Sequence, residues 1–251
     1  LMATTLAAFR ALQSEGLNAD DAKFVAGRSL GEYSALAMAG SLSVSDAAKL
    51  LRIRGRAMQN AVPVGIGAMA AILGLSYSDL VDIAKTAAKN EVCQAANDND
   101  PSQVVVSGHK GAVERAIEIA KAAGAKRAVL LPVSAPFHSE LMAPASLEMK
   151  DALSTIPIVE PVIPLVSNVK ALAVTLPDEI RSLLVEQVTG VVRWRESVEW
   201  MARNGVTEMW EIGAGRALSG MVRRINRSIS CVSISKPEEI KTAIISQSET
   251  I

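Results

Sequence analysis

Residues 23–33 read Lys23-Phe24-Val25-Ala26-Gly27-Arg28-Ser29-Leu30-Gly31-Glu32-Tyr33: a short apolar run, a serine between glycines, and the start of an alanine- and leucine-rich segment reaching Gly40. The apolar run suits a strand and residues 34–40 suit a helix, so the G-x-S-x-G pentapeptide falls on a strand-to-helix turn. Small flanking residues there permit a strained turn that lifts the serine hydroxyl clear. The helix N-terminus aims amides and a positive dipole at an oxyanion forming beside it. A serine between glycines is also an ordinary turn, so the setting, more than the pentapeptide, makes Ser29 the candidate nucleophile.

Upstream, Met2, Leu6, Phe9, Leu12 and Gly16 give a helical spacing ended by glycine. Downstream, Ser43-Val44-Ser45-Asp46 caps a second helix running to about Gln59. Advancing about 100° per residue from Arg54, residues Ala47, Leu50, Leu51, Ala57, Met58 and Ala61 all fall within about 60° of it, whereas Arg52 and Arg56 fall near 160°. Arg54 thus lies in the middle of an apolar stripe, where a charge needs a partner.

Residues 62–134 change period. Strand, helix, strand, strand, helix, strand is expected at 68–73, 78–89, 93–97, 103–107, 112–123 and 127–133, the order of a ferredoxin-like (βαββαβ) unit. Helices at 139–153, 177–187, 194–204, 216–225 and 237–245 then alternate with strands at 162–166, 208–212 and 231–234. The expected fold is α/β: an α/β-hydrolase-like main subdomain (1–61 and 135–251) with an inserted ferredoxin-like small subdomain (62–134).

A serine at its ordinary pKa needs a base. Only His109 and His138 are present. His109 lies in a turn entering a helix of the inserted unit and reads as a surface or near-cap residue. His138 follows Val133-Ser134-Ala135-Pro136-Phe137, where the chain returns to the main subdomain, and is the better candidate.

Beyond these features the sequence resembles the bacterial malonyl-CoA:acyl carrier protein transacylase family over essentially its whole length. The resemblance is carried by GRSLGEYSALAMAG (27–40), RIRGRAMQ (52–59), GIGAMAAILGL (65–75), ANDNDPSQVVVSG (96–108), SAPFHSELMAP (134–144), residues 194–201 and EIGAGRALSG (211–220). It implies Ser29 as the acylated serine, His138 as the base and Arg54 as the arginine that grips the malonyl carboxylate. Gln187 matches the position whose oxygen orients the histidine, so no acidic third member is implied.

By elbow geometry Leu30 would supply one oxyanion amide. Phe137 matches the bulky residue of malonyl-selective members, and Asn97 and Asn99 match asparagines near the cleft, although Asx residues beside Pro101 are also turn formers. The implied substrates and partners are malonyl-CoA and acyl carrier protein, in fatty acid biosynthesis, with no cofactor beyond the coenzyme A thioester itself. Where the family usually has histidine before the nucleophile, this chain has Arg28, which could depress the serine pKa, pair with a carboxylate or crowd the cleft.

Composition excludes other classes. The chain has 251 residues, 49% hydrophobic and 21% charged, enough for a full core. Its 26 basic residues balance 26 acidic ones, which gives no footprint for nucleic acid or an acidic membrane. Cys93 and Cys231, without CxxC spacing, suggest neither a disulfide framework nor a metal site, and a reducing cytoplasm fits. The longest uncharged apolar run, 61–75, is broken by Pro63 and glycines, so no membrane span is expected. A monomer is expected.

The start at Leu1 lacks a signal peptide's basic region. It suggests that the family's N-terminal loop, donor of a second oxyanion amide, precedes it. Competing expectations are an α/β-hydrolase-type thioesterase, which needs an acidic residue such as Asp98, Asp100, Glu114 or Glu118 behind His138, a catalytically impaired carrier-protein-binding homologue, and the acyltransferase domain of a larger synthase.

Overall fold

The computed structural model describes residues 1–17 and 19–248. Helix α1 (Met2–Ser14) buries Leu6, Phe9 and Leu12 and leads to β1 (Val25–Ala26). The turn at Gly27 follows, then α2 (Gly31–Met38) and α3 (Val44–Asn60). Strand β1 is the entry to the turn because its two residues are held in register by parallel pairing with Leu165 and Val166.

Helix α3 starts where the side chain of Ser43 accepts from the Asp46 amide at 3.0 Å, satisfying one of the free amides of its first turn. Its buried residues are Ala47, Leu50, Arg54, Ala57 and Met58, while Arg52 and Arg56 are exposed. The apolar stripe therefore carries a cation inward, as the helical spacing predicts.

Between residues 67 and 130, β2 (Gly67–Leu73), α4 (Tyr77–Ala88), β3 (Cys93–Asp100), β4 (Gln103–His109), α5 (Lys110–Ala122) and β5 (Arg127–Leu130) form one antiparallel four-stranded sheet with two helices. Its strand order is β3-β4-β2-β5. A capping box of Ser76 and Asp79 opens α4. Alternation along β2 sends Ala70 and Ile72 against α4 and α5, with Leu80, Val106 and Val113, and sends Met69 and Ala71 to the other face, with Ala96, Val105 and Phe137. That second face lies beside the residue preceding His138. Strand β5 stops at Leu130, short of the expected 133, because Pro132 cannot donate to a ladder.

A 3-10 turn at Glu140–Met142 precedes α6 (Ala143–Ser154), which takes Pro144 into its first turn; the single helix expected from Ser139 is thereby divided. Strand β6 (Leu165–Val166) is shorter than expected because Pro161 and Pro164 interrupt what precedes it. It also pairs with β7 (Ala173–Val174), a strand too short to carry a periodic signal. Helices α7 (Pro177–Glu186) and α8 (Trp194–Arg203) follow. Then β8 (Glu208–Ile212) and β9 (Ser230–Ile234) pair in parallel around α9 (Ala217–Ile225), with α10 (Pro237–Ser248) last. Parallel pairs joined through helices are the α/β arrangement.

The main core gathers Tyr33 and Leu36 of α2, Leu50 and Met58 of α3, Met149 and Leu153 of α6, and Ile180 and Leu184 of α7. Full burial of each such side chain stabilises by roughly 1.5–3 kcal/mol. Val25 before the turn and Tyr33 after it belong to this cluster, so the turn at Gly27–Gly31 is anchored in the core on both sides.

Candidate active site

Ser29 has φ 54°, a left-handed conformation that non-glycine residues rarely adopt. Three contacts hold it there. The Ser29 amide donates to Asn168 Oδ1 at 2.6 Å, Asn168 Nδ2 donates to the Gly27 carbonyl at 2.7 Å, and the Ser29 carbonyl accepts from the Glu32 amide at 3.1 Å. The two glycines of the pentapeptide are not equivalent. A Cβ on Gly27 would sit 2.1 Å from the Gly31 carbonyl carbon, whereas one on Gly31 would meet nothing within 4 Å. Only Gly27 is demanded by close approach.

His138 also has a left-handed backbone, φ 57°, after the turn in which the Phe137 amide donates to the Ala135 carbonyl. Its Nε2 is 2.7 Å from Ser29 Oγ, and its Nδ1 is 2.8 Å from the backbone carbonyl of Gln187. A carbonyl only accepts, so Nδ1 carries the hydrogen and Nε2 is left to take the serine proton. Burial, and then the nearby charge of Arg54, push the imidazole pKa down to about 3. The ring is thus held neutral, in the tautomer a base requires.

Arg54 meets the same hydroxyl. Its Nη2 donates to Ser29 Oγ at 3.1 Å and to Gln187 Oε1 at 2.9 Å, and the guanidinium carbon lies 5.9 Å over the Tyr33 ring. Among the described residues no carboxylate oxygen comes within 4.0 Å of its nitrogens, and the buried Nε has no hydrogen-bond partner. Burial accordingly lowers the guanidinium pKa from its ordinary value. A buried cation without a protein anion is a receptor for an anionic ligand group.

Two further residues complete the network, and sequence reasoning did not single them out. Glu32, buried one turn beyond Ser29, accepts from the Asn168 amide at 2.9 Å and from Gln187 Nε2, which also donates to the Ser29 carbonyl at 3.0 Å. Burial raises its pKa to about 7, against the lowering pull of the Asn168 and Gln187 hydrogen bonds and the Arg54 charge. The available signal for Glu32 was its spacing: three residues after Ser29 on a helix, it must return to the serine's side.

The remaining candidates are placed as follows. Leu30 is the N-cap of α2, and its amide has no protein acceptor among the described residues. Phe137 is partly buried, packed on both the main core and the second face of the sheet. Asn97 and Asn99 are buried within β3 rather than in a turn; the turn before Ser102 is made by Asp100, whose Oδ1 accepts from the Ser102 amide and hydroxyl.

Asn97 forms a backbone bridge to Val192, and Asn99 Oδ1 accepts from Arg28 Nε at 2.8 Å. Arg28 therefore binds an amide, not a carboxylate, and burial lowers its pKa. His109 is the N-cap residue of α5, its Nδ1 accepting from the Val92 amide at 2.9 Å.

The acids that a hydrolase triad would require are engaged elsewhere. Asp98 is paired with Arg195 at 2.8 Å, Asp100 with Arg224 at 2.9 Å, Glu118 with Lys121 at 2.7 Å and Glu114 with Lys110 at 4.0 Å. Among the described residues no cluster of three or more histidine, cysteine, aspartate or glutamate side chains could hold a metal. No helix of the described residues is long and apolar enough to cross a membrane.

Residues 1–215 match the family model of the acyl transferase domain. The chain is 43% identical to the malonyl CoA-acyl carrier protein transacylase of Escherichia coli (strain K12), over 97% of this chain and 78% of that protein. It is 44% identical to the Bacillus subtilis (strain 168) protein of the same name, over 97% and 76%. Among solved structures, the acyl-carrier-protein-S-malonyltransferase of Bartonella henselae superposes with a TM-score of 0.96 at 52% identity, covering 98% of this chain and 79% of that one.

A malonyl-transacylase solved in complex with its type II PKS acyl-carrier protein gives 0.95 at 40% identity, covering 98% and 79%. Matched over nearly its whole length in sequence and fold, the chain belongs to the malonyl CoA-acyl carrier protein transacylase family of acyltransferases.

Proposed function

We propose that this acyltransferase moves the malonyl group of malonyl-CoA to the phosphopantetheine thiol of acyl carrier protein, in fatty acid biosynthesis, through a malonyl ester on Ser29. The observation that carries the reading is the convergence on one hydroxyl of a neutral imidazole at 2.7 Å and a guanidinium with no carboxylate partner at 3.1 Å.

In the first half-reaction Ser29 Oγ attacks the thioester carbonyl while its proton passes to His138 Nε2. The imidazolium is steadied by the Gln187 carbonyl on Nδ1. Negative charge on the carbonyl oxygen falls to the free amide of Leu30 at the positive end of α2. Collapse expels the coenzyme A sulfur, which takes the proton from His138. The carrier thiol then attacks the Ser29 ester, His138 accepts its proton, and Ser29 Oγ recovers it on leaving.

The free carboxylate of malonyl lies two bonds beyond the acyl carbon, and Arg54 beside Oγ is the group to grip it with parallel hydrogen bonds. Phe137 would exclude an α-methyl branch, and Asn97 and Asn99 would line the cleft. The same reading takes the chain as a monomer acting without metal or cofactor, built from 1–61 with 135–251 and an inserted 62–134, each part having its own buried cluster.

Intact-mass measurement after incubation with malonyl-CoA tests it. A malonyl adduct is expected on the parent chain and not on Ser29→Ala, and holo acyl carrier protein should discharge it. An adduct that hydrolyses without reaching the carrier would favour a thioesterase.

A further inference from the structure

We propose that Glu32 is a positioning residue for malonyl selectivity: its carboxylate sets the orientation of the Gln187 amide, whose oxygen in turn sets the Arg54 guanidinium beside Ser29 Oγ. The inference rests on the reading of Arg54 as the malonyl clamp.

The Gln187 side chain is fully buried and every polar edge of it is committed. Its Oε1 faces Arg54, which can only donate, and its Nε2 faces the Ser29 carbonyl, which can only accept. The amide therefore has one workable orientation, and the second hydrogen on Nε2 points at Glu32 Oε2. The other carboxylate oxygen is occupied by the Asn168 amide. Position 32 faces two donors, the Asn168 amide and Gln187 Nε2, and a carboxyl side chain offers an oxygen to each.

A glutamine at position 32 would bring one NH2 into the same space. Turned toward Asn168, it sets donor against donor. Turned toward Gln187, it forces that amide to flip, which places Nε2 against Arg54 and Oε1 against the Ser29 carbonyl. Each arrangement leaves buried polar groups mismatched, and a flipped Gln187 releases the guanidinium from the amide oxygen that anchors it. Glu32 acts on Arg54 through Gln187 without forming an ion pair with it, so the remaining guanidinium donors stay open to a substrate carboxylate.

The test is formation of the malonyl and acetyl esters of Ser29 from malonyl-CoA and acetyl-CoA, followed by intact mass across thioester concentrations in the full chain. Glu32→Gln is expected to lower the malonyl-to-acetyl ratio of kcat/KM by roughly tenfold or more, the scale of one hydrogen bond to a charged group. The loss should lie mainly in a raised malonyl-CoA KM. In a Gln187→Leu background, which keeps the backbone carbonyl that holds His138, Glu32→Gln should change the ratio by less than about twofold, because the route through the amide is already cut.

A ratio within about twofold of the parent in Glu32→Gln, or an equal loss with and without Gln187, overturns the proposal. Should Glu32→Gln not fold, Glu32→Asp reads the same point: it keeps a carboxyl group but cannot span both donors, and wild-type selectivity in it would be equally fatal. A parent chain that shows no malonyl adduct or no preference for malonyl would instead sink the clamp reading itself.

Discussion

Arg54 Nη2 and Ser29 Oγ are 3.1 Å apart, across 25 residues of sequence, and the guanidinium reaches the hydroxyl without meeting any protein carboxylate within 4.0 Å among the described residues. A structural ion pair would have looked different. The charge is instead stored against a serine hydroxyl, an amide oxygen and an aromatic face, all of which can stay in place when an anion arrives.

Arg54→Ala should therefore lower kcat/KM for malonyl-CoA by roughly 10- to 150-fold, the worth of a charged hydrogen-bonded pair, while changing acetyl-CoA turnover much less. Arg54→Lys should recover only part of the loss, because an ammonium cannot offer two parallel donors. Steady-state kinetics with the two thioesters decide it. Equal losses for both would remove Arg54 from substrate selection.

His138 carries its own expectation. Burial and the Arg54 charge hold its pKa at about 3, below the ordinary 6.5, so the neutral ring persists as pH falls through the range in which a free histidine would take a proton. Proton NMR should show the His138 ring signal, assigned by its absence in His138→Asn, unmoved between pH 8 and 5. A titration centred near 6.5 would mean that the ring is hydrated and less tightly held than the contacts to Ser29 and Gln187 require.

What could be read in advance followed from periodicity and local chemistry. Arg54 was legible because a 3.6-residue period places it among Leu50, Ala57 and Met58, and the α/β order was legible because its helices are long enough to show a stripe. Strand β7 was not, since two residues carry no period, and the β5 and β6 bounds were displaced by prolines whose missing amides matter only once a partner strand is known. Glu32 and Asn168 were missed for a different reason. Glu32 contacts residues 136 and 155 positions away, so its role exists only after β1 and β6 pair and bring the Ser167-Asn168 turn beneath the elbow.

The glycines of the pentapeptide make a direct test of elbow packing. Gly27→Ala drives a Cβ to 2.1 Å from backbone of Gly31, a contact that no rotamer change relieves, and should destabilise by roughly 3 kcal/mol or more, as overpacking against backbone does. Gly31→Ala has open space and should leave urea stability unchanged or raise it by up to about 1 kcal/mol through helix propensity. Similar losses in both would show that the turn needs glycine for its dihedrals rather than for close approach.

Asn168 joins the two ends of the same turn, donating to the Gly27 carbonyl and accepting from the Ser29 amide. With a left-handed serine costing on the order of 1–2 kcal/mol, the turn persists because these bonds over-determine it. Asn168→Ala should therefore lose roughly 1–3 kcal/mol of stability in urea titration, from the buried Gly27 carbonyl and the part-buried Ser29 amide left without this partner. It should also lower the rate of Ser29 acylation by malonyl-CoA and acetyl-CoA alike, since Oγ is displaced from His138 whichever acyl group is offered. That shared loss would separate Asn168, which holds the Ser29 turn, from Arg54, proposed to hold the malonyl carboxylate. An Asn168→Ala variant that folds and acylates within about twofold of the parent would show that α2 and Gly27 hold the elbow without it.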